Sequence, residues 1–235
     1  MAPAALHIGP DGWLAACDAP AVIRVPTVRT TTLLDPEPLA LVWHWTAGDY
    51  APDHGHADSV SLAKWIAERP PATEPGASWH ILIDKDGALV QSAPVVVGTW
   101  HVGKPGAIRG RTVLNVNRCT VGVEFENAGR LEEHDGRFYA WPYRGADGKP
   151  SPKYEVDRSR AQAGRGGLFD AFTAAQETSA ELLVRALVER FRWPREAFTY
   201  GHVHFDFPRK TDPGPIWLEE ILPRLLSRVF PPTVG

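Results

Sequence analysis

The sequence predicts an α/β fold, with one central mixed β-sheet flanked by helices in a single domain. Three observations predict it. Short β-prone apolar runs alternate with amphipathic helical runs in the order β-α-β-β-β-β-α-β-α, and that alternation buries each helix on a shared sheet. The 235 residues, 43% hydrophobic and 23% charged, suit one large domain with a substantial core. No internal repeat or low-complexity tract divides the chain.

The elements follow in order. Residues 1–38 are rich in proline and read as an ordered extension packed on the main domain, in which Ala21–Val25 can pair as an edge strand. The main domain spans 39–230. Leu39–Trp45 is apolar and β-prone, a buried strand ending at His44-Trp45-Thr46-Ala47-Gly48. Asp58 or Ser59 can cap a helix reaching Glu68, with Val60, Leu62, Ala63, Trp65 and Ile66 as its apolar face. Ala77–Ile83 is the next strand, and Asp84-Lys85-Asp86-Gly87 turns it back into Ala88–Ser92. Val95–Val102 is extended and contains Trp100-His101. Cys119–Asn127 alternates: Val121, Val123 and Phe125 face one way, and Thr120, Gly122, Glu124 and Glu126 the other. Residues 128–170, polar and rich in Gly, Arg and Asp, read as a long surface excursion with room for a small hairpin. The clearest helix runs from Phe172 to Arg190, opened by a Thr173/Gln176 capping box. Thr199–Val203 is a short strand, and Ile216–Val229 a last helix kinked at Pro223.

Composition excludes some functions. A net charge of −3 gives no basic excess for nucleic acid and no attraction to an anionic membrane. No apolar run is long enough to span a bilayer. The first residues lack a basic segment followed by an apolar core, so no signal peptide is read and a cytoplasmic location is expected. Cys17 and Cys119 are too few for a disulfide framework and are expected as reduced thiols. A monomer is expected.

Chemistry concentrates between Gly201 and Pro215. His202 and Asp212 can close on one metal ion, because Pro208, Pro213 and Gly214 turn the chain back. Lys210 then sits where a cation is useful only if negative charge develops. His44, presented at a strand end, is the candidate third ligand. Two imidazoles and a carboxylate suit Zn2+ and leave a fourth position for water. A glutamate in an alternating strand ordinarily faces solvent. Glu124, however, stands on a polar face beside Gly122, which leaves room for a ligand to approach. In a functional role it is the general base for water, with Lys210 as partner of an oxyanion. His7, His54, His56 and His134 read as structural, as does His80.

His44-Trp45-Thr46-Ala47-Gly48, Ala77-Ser78-Trp79-His80-Ile81-Leu82-Ile83-Asp84, Trp100-His101, Val121-Gly122-Val123-Glu124 and Gly201-His202, closing with Lys210-Thr211-Asp212-Pro213-Gly214-Pro215, occur in this order. Together they resemble the zinc N-acetylmuramoyl-L-alanine amidases of the type 2 amidase and peptidoglycan-recognition superfamily. The likeness covers roughly residues 39–228 and is closest to the cytosolic anhydro-muropeptide amidases and the phage endolysins built like them. It implies a zinc-lined groove with His44, His202 and Asp212 as ligands and Glu124 and Lys210 as catalytic residues. It also implies a peptidoglycan or muropeptide substrate, cleaved between the muramic acid lactyl group and L-alanine. Trp79, Trp100 and His101 would line the groove for substrate, the tryptophans by stacking on sugar rings. Trp45 stands where the family often has a second histidine, which predicts a changed groove wall with the zinc ligands kept. The alternatives are an inactive peptidoglycan-binding module, a phage assembly protein on the same fold, and a zinc hydrolase of another amide. The sequence does not separate a recycling enzyme from a lysin.

Overall fold

The computed structural model describes residues 6–16, 20–47, 59–68, 76–140, 149, 151 and 154–232. Two sheets carry the fold. In chain order their strands are β1 (Val22–Arg24), β2 (Ala40–Trp45), β3 (Ile81–Ile83), β4 (Leu89–Gln91), β5 (Thr120–Phe125), β6 (Arg130–His134), β7 (Arg137–Ala140), β8 (Glu155–Val156), β9 (Ala161–Gly164), β10 (Gly167–Asp170) and β11 (Tyr200–Gly201). The central sheet has the order β11-β2-β5-β3-β4-β1. It is mixed: β11, β2, β5 and β3 run parallel, β4 is antiparallel to β3, and β1 lies parallel to β4 at the edge.

Helices cover both faces. Helix α1 (Ser59–Glu68) packs Leu62, Ala63 and Ile66 on Leu82 and Val90. Ile81, Ile83 and Leu89 point the other way, into the main core with α2 (Ala174–Phe191). This is the two-residue period of a strand buried on both sides. The core centres on Trp43 of β2, whose ring lies 5.4 Å from Phe125 and 5.0 Å from Trp217. The Trp43 indole N–H donates to the Phe198 carbonyl at 2.8 Å, so burying the ring orphans no donor. Burial of each such ring contributes about 1.5–3 kcal/mol.

Helix α2 opens with the expected capping box: Thr173 Oγ1 accepts from the Gln176 amide, and Gln176 Oε1 from the Thr173 amide. The Gln176 side chain also donates to the carbonyls of Ile83 and Glu126, fastening the helix start to two strand ends. After β11 comes the short α3 (Val203–Asp206). The last helix begins as a π-helical stretch, Ile216–Ile221, and continues as α4 (Leu222–Val229). Pro223, which has no amide hydrogen to give, stands where one pattern yields to the other. The strand expected from Ala77 is shorter than its sequence pattern. Ser78 and His80 make single backbone bonds to Trp100 and Gly122, and regular pairing starts at Ile81.

The described part of 128–170 differs from the expected surface excursion. It forms a second, antiparallel sheet of order β8-β7-β6-β10-β9. A small core of Leu131, Phe138, Ala140, Tyr154 and Val156 packs beneath it. Asp170 anchors this sheet to the first. Its carboxylate, wholly buried, meets Lys85 Nζ at 2.9 Å, Arg160 Nη2 at 2.7 Å and the Ala128 amide at 2.8 Å. Burial pushes this carboxyl up, but the hydrogen bond from Arg160 and the charge of Lys85 prevail and hold it below the usual carboxylate range.

Candidate active site

Three parallel strands, β11, β2 and β5, end at the same edge of the central sheet, and each delivers one residue there. His44 is next to last in β2, and Glu124 is its direct register partner in β5. His202 follows β11, and its amide bonds the Trp43 carbonyl at 3.2 Å. Crevices at the carboxyl ends of parallel strands are the usual place for sites in such sheets. The loop after α3 folds back so that the Asp212 carbonyl accepts from the Val203 amide at 3.1 Å. Gly201 permits this closure: a Cβ there would lie 2.5 Å from Pro213 Cδ.

The result is a tight cluster. His44 Nδ1 lies 3.1 Å from His202 Nδ1 and 3.0 Å from Asp212 Oδ2, and the last two atoms are 3.2 Å apart. All three residues are buried. Among the described residues this is the group able to hold a metal ion. Burial lowers the His44 pKa to about 4, partly offset by Asp212, so its imidazole is neutral near pH 7. Burial raises the Asp212 carboxyl, but hydrogen bonds with His202 and His44 overcome it and hold the group ionised, far below the usual range. Two imidazole nitrogens and a carboxylate oxygen converging on one point fit a divalent cation such as zinc.

Asp212 also lines a cavity of about 490 Å³ with Glu124, Lys210, Trp79, Trp45 and Arg130. Burial pushes the Glu124 carboxyl well above the usual range, and the nearby Asp212 charge adds to the effect, while Lys210 opposes it. A carboxyl perturbed in this way beside a cavity is a candidate for proton transfer to and from water. Trp79 is buried in this wall, and its indole N–H has no partner among the described residues. Trp45 forms part of the wall, as its place after His44 predicts.

The other expected groove residues lie elsewhere. Trp100 is 39% exposed and outside this cavity. His101 is buried behind His44, its Nδ1 3.0 Å from His44 Nε2. The space beside Gly122, expected to admit a ligand, is filled by the His101 ring, because a Cβ on Gly122 would lie 2.5 Å from His101 Cγ. His80 is structural: its Nε2 bonds the Val97 carbonyl and its Nδ1 accepts from the Gly122 amide. His54 and His56 lie outside the described residues. Sequence reasoning missed Trp65 and Arg130 as cavity-lining residues. Trp65 was hidden in the apolar stripe of α1, and Arg130 belongs to a sheet that the sequence does not announce. It also missed Thr120 and Asn117, which hold His101 from behind and carry no local signal.

A strand-edge cleft that gathers a metal-binding trio, a carboxyl with a raised pKa and a lysine defines a hydrolytic class of site. The family model for N-acetylmuramoyl-L-alanine amidase matches residues 35–215, and the chain belongs to that family of enzymes. The fold is similar to that of a selenomethionine AmpD derivative in the crystal, at 23% identity over 92% of this chain and 97% of that one, with a TM-score of 0.57. The solution structure of Citrobacter freundii AmpD gives 22% identity over 94% and 96%, with a TM-score of 0.51. The catalytic domain of XlyA gives 20% over 88% and 98%, with a TM-score of 0.50. No curated protein matches the chain. Among the described residues no helix is long and apolar enough to cross a membrane.

Proposed function

We propose that this amidase cleaves the amide between the lactyl group of N-acetylmuramic acid and L-alanine, with zinc held by His44, His202 and Asp212. One observation carries the reading: the three ligand atoms lie within 4.8 Å of one another, and Asp212 shares its cavity with Glu124 and Lys210. When bound, zinc supplies a Lewis acid that polarises a carbonyl and acidifies water. The chain's own residues do the rest. Glu124 takes the proton of the attacking water and returns it to the departing amine of L-alanine. The Lys210 ammonium faces the oxygen on which negative charge develops. Trp79, with Trp45 beside it, offers an aromatic wall to a saccharide substrate.

The test is a paired assay. Purified protein is incubated with peptidoglycan sacculi and, separately, with soluble 1,6-anhydro-muropeptides, each with and without a zinc chelator, and products are weighed by mass spectrometry. Chelator-sensitive release of stem peptide is expected. Release from sacculi identifies a wall-degrading enzyme of the endolysin kind, and cleavage confined to soluble fragments identifies a recycling enzyme in the cytoplasm. Zinc-loaded protein that cleaves neither overturns the proposal in favour of a binding module.

A further inference from the structure

Behind the cluster, on the side away from the cavity, a chain of hydrogen bonds runs from His44 into the sheet. His44 Nε2 lies 3.0 Å from His101 Nδ1, His101 Nε2 lies 3.2 Å from Thr120 Oγ1, and Thr120 Oγ1 lies 2.7 Å from the Val116 carbonyl oxygen. The far end fixes a direction for every link once a metal ion, and not a proton, joins His44 Nδ1 to the Asp212 carboxylate. A carbonyl oxygen can only accept, so the Thr120 hydroxyl donates to Val116. Its oxygen then accepts from His101, which places the His101 proton on Nε2. His101 Nδ1 is left with a lone pair and accepts from His44 Nε2–H. A neutral His44 that carries its proton on Nε2 has a bare Nδ1, and Nδ1 is the atom that faces His202 and Asp212.

His101 is held rigidly in this position. Asn117 Oδ1 accepts the amides of His101, Val102 and Gly103 at 2.9, 2.7 and 3.1 Å. The His101 ring stands almost perpendicular to that of His44, with centroids 5.1 Å apart, and occupies the space left by Gly122. Among the described residues His202 has no such brace, since its Nε2 is buried without a partner there. We propose that His101 and Thr120 are positioning residues that lock the tautomer of His44, presenting its bare Nδ1 to the metal; this rests on the zinc reading of the cluster. Partners of this kind behind a ligand histidine typically govern metal affinity 10- to 100-fold.

The experiment reads tautomer and metal separately. Long-range proton–nitrogen NMR on the zinc-loaded protein near pH 7 is expected to show His44 and His101 both protonated at Nε2. Thr120→Val keeps the side-chain shape but removes the acceptor. It leaves the buried His101 Nε2–H without its acceptor and is expected to weaken zinc binding in chelator competition about 10- to 100-fold. His101→Leu is expected to weaken zinc to a similar degree. His101→Asn, which can keep an acceptor oxygen near the Nδ1 position, is expected to restore most of the affinity. Melting curves check that each variant folds. A Thr120→Val protein with wild-type zinc affinity would overturn the proposal, as would a zinc-loaded wild type with His101 protonated at Nδ1, or His101→Asn binding no better than His101→Leu. Failure of the wild type to take up zinc would count against the metal reading on which the proposal rests, whereas zinc uptake with His101 protonated at Nδ1 would count against the proposal alone.

Discussion

His44 and Glu124 sit side by side on β2 and β5, in direct register, at the ends of strands buried through their length. His202, Lys210 and Asp212 come instead from a turn-rich segment that follows a two-residue strand. In the first half, backbone pairing fixes position and side-chain bonds to His101 fix orientation. In the second half, position depends on how the loop closes on Gly201 and on isolated backbone bonds from His202 to Trp43, Val203 to Asp212 and Lys210 to Asp206. The two imidazoles have different surroundings as a result. One is braced at its far nitrogen and the other is not. A metal needs only one pre-oriented ligand and flexible partners that close on it, so this division lets the rigid sheet set the geometry and the loop complete it.

Four substitutions break or sharpen that comparison. The largest effect is expected at the chemical residue of the rigid half. Glu124→Gln should lower turnover by about 10²–10⁴ while zinc content, measured by elemental analysis, is unchanged. In the loop half, Lys210→Ala should lower kcat by about 10²–10³ with a smaller change in KM. Near-full turnover of Lys210→Ala in steady-state kinetics would remove the lysine from the chemistry. Gly122→Ala tests the packing of the rigid half. Its new Cβ would lie 2.5 Å from a ring that Asn117 and Thr120 hold in place, so denaturant titration should show a loss of about 1–3 kcal/mol, with weaker zinc binding.

The smallest effect concerns Glu126, two residues beyond Glu124. Burial and its neighbour Asp84 push its carboxyl from the ordinary 4.5 up to about 8. The folded chain therefore keeps a proton that the unfolded chain loses, and this group's contribution to stability falls as pH rises through that interval. His44 and His80, lowered to about 4 by burial, act in the opposite sense between 4 and their ordinary 6.5. They cancel when variant and wild type are compared. Glu126→Gln should gain on the wild type progressively as pH rises from 5 to 8 in paired denaturant titrations. A difference flat with pH would show that Glu126 is ionised when folded.

Legibility followed the range of the interactions. The strand at 40–45, the helix at 174–191 and its cap were readable because their causes are local: apolar periodicity and a side chain three residues away. The trio His44, His202 and Asp212 was readable as residue types at turns and strand ends, and the structure brings them within 4.8 Å. The second sheet was mostly hidden. Its clearest local sign is Asp135-Gly136, both at positive φ, the turn joining β6 to β7. Its other strands alternate weakly and are held by Asp170, Lys85 and Arg160, groups far apart in sequence.

What the sequence by itself determined is the inventory and the sites of presentation: an α/β order of elements, and a metal-binding set placed where strands end. The tertiary structure decided which face each residue meets. Glu124 falls beside His44 because β2 and β5 pair in parallel with that register, and a shift of one residue would have turned it into the core. His101 became a brace instead of a groove residue because Gly122, Thr120 and Asn117 together leave one place for its ring. Local patterns record what a residue can do, whereas its partner is set by packing between segments that no short stretch of sequence contains.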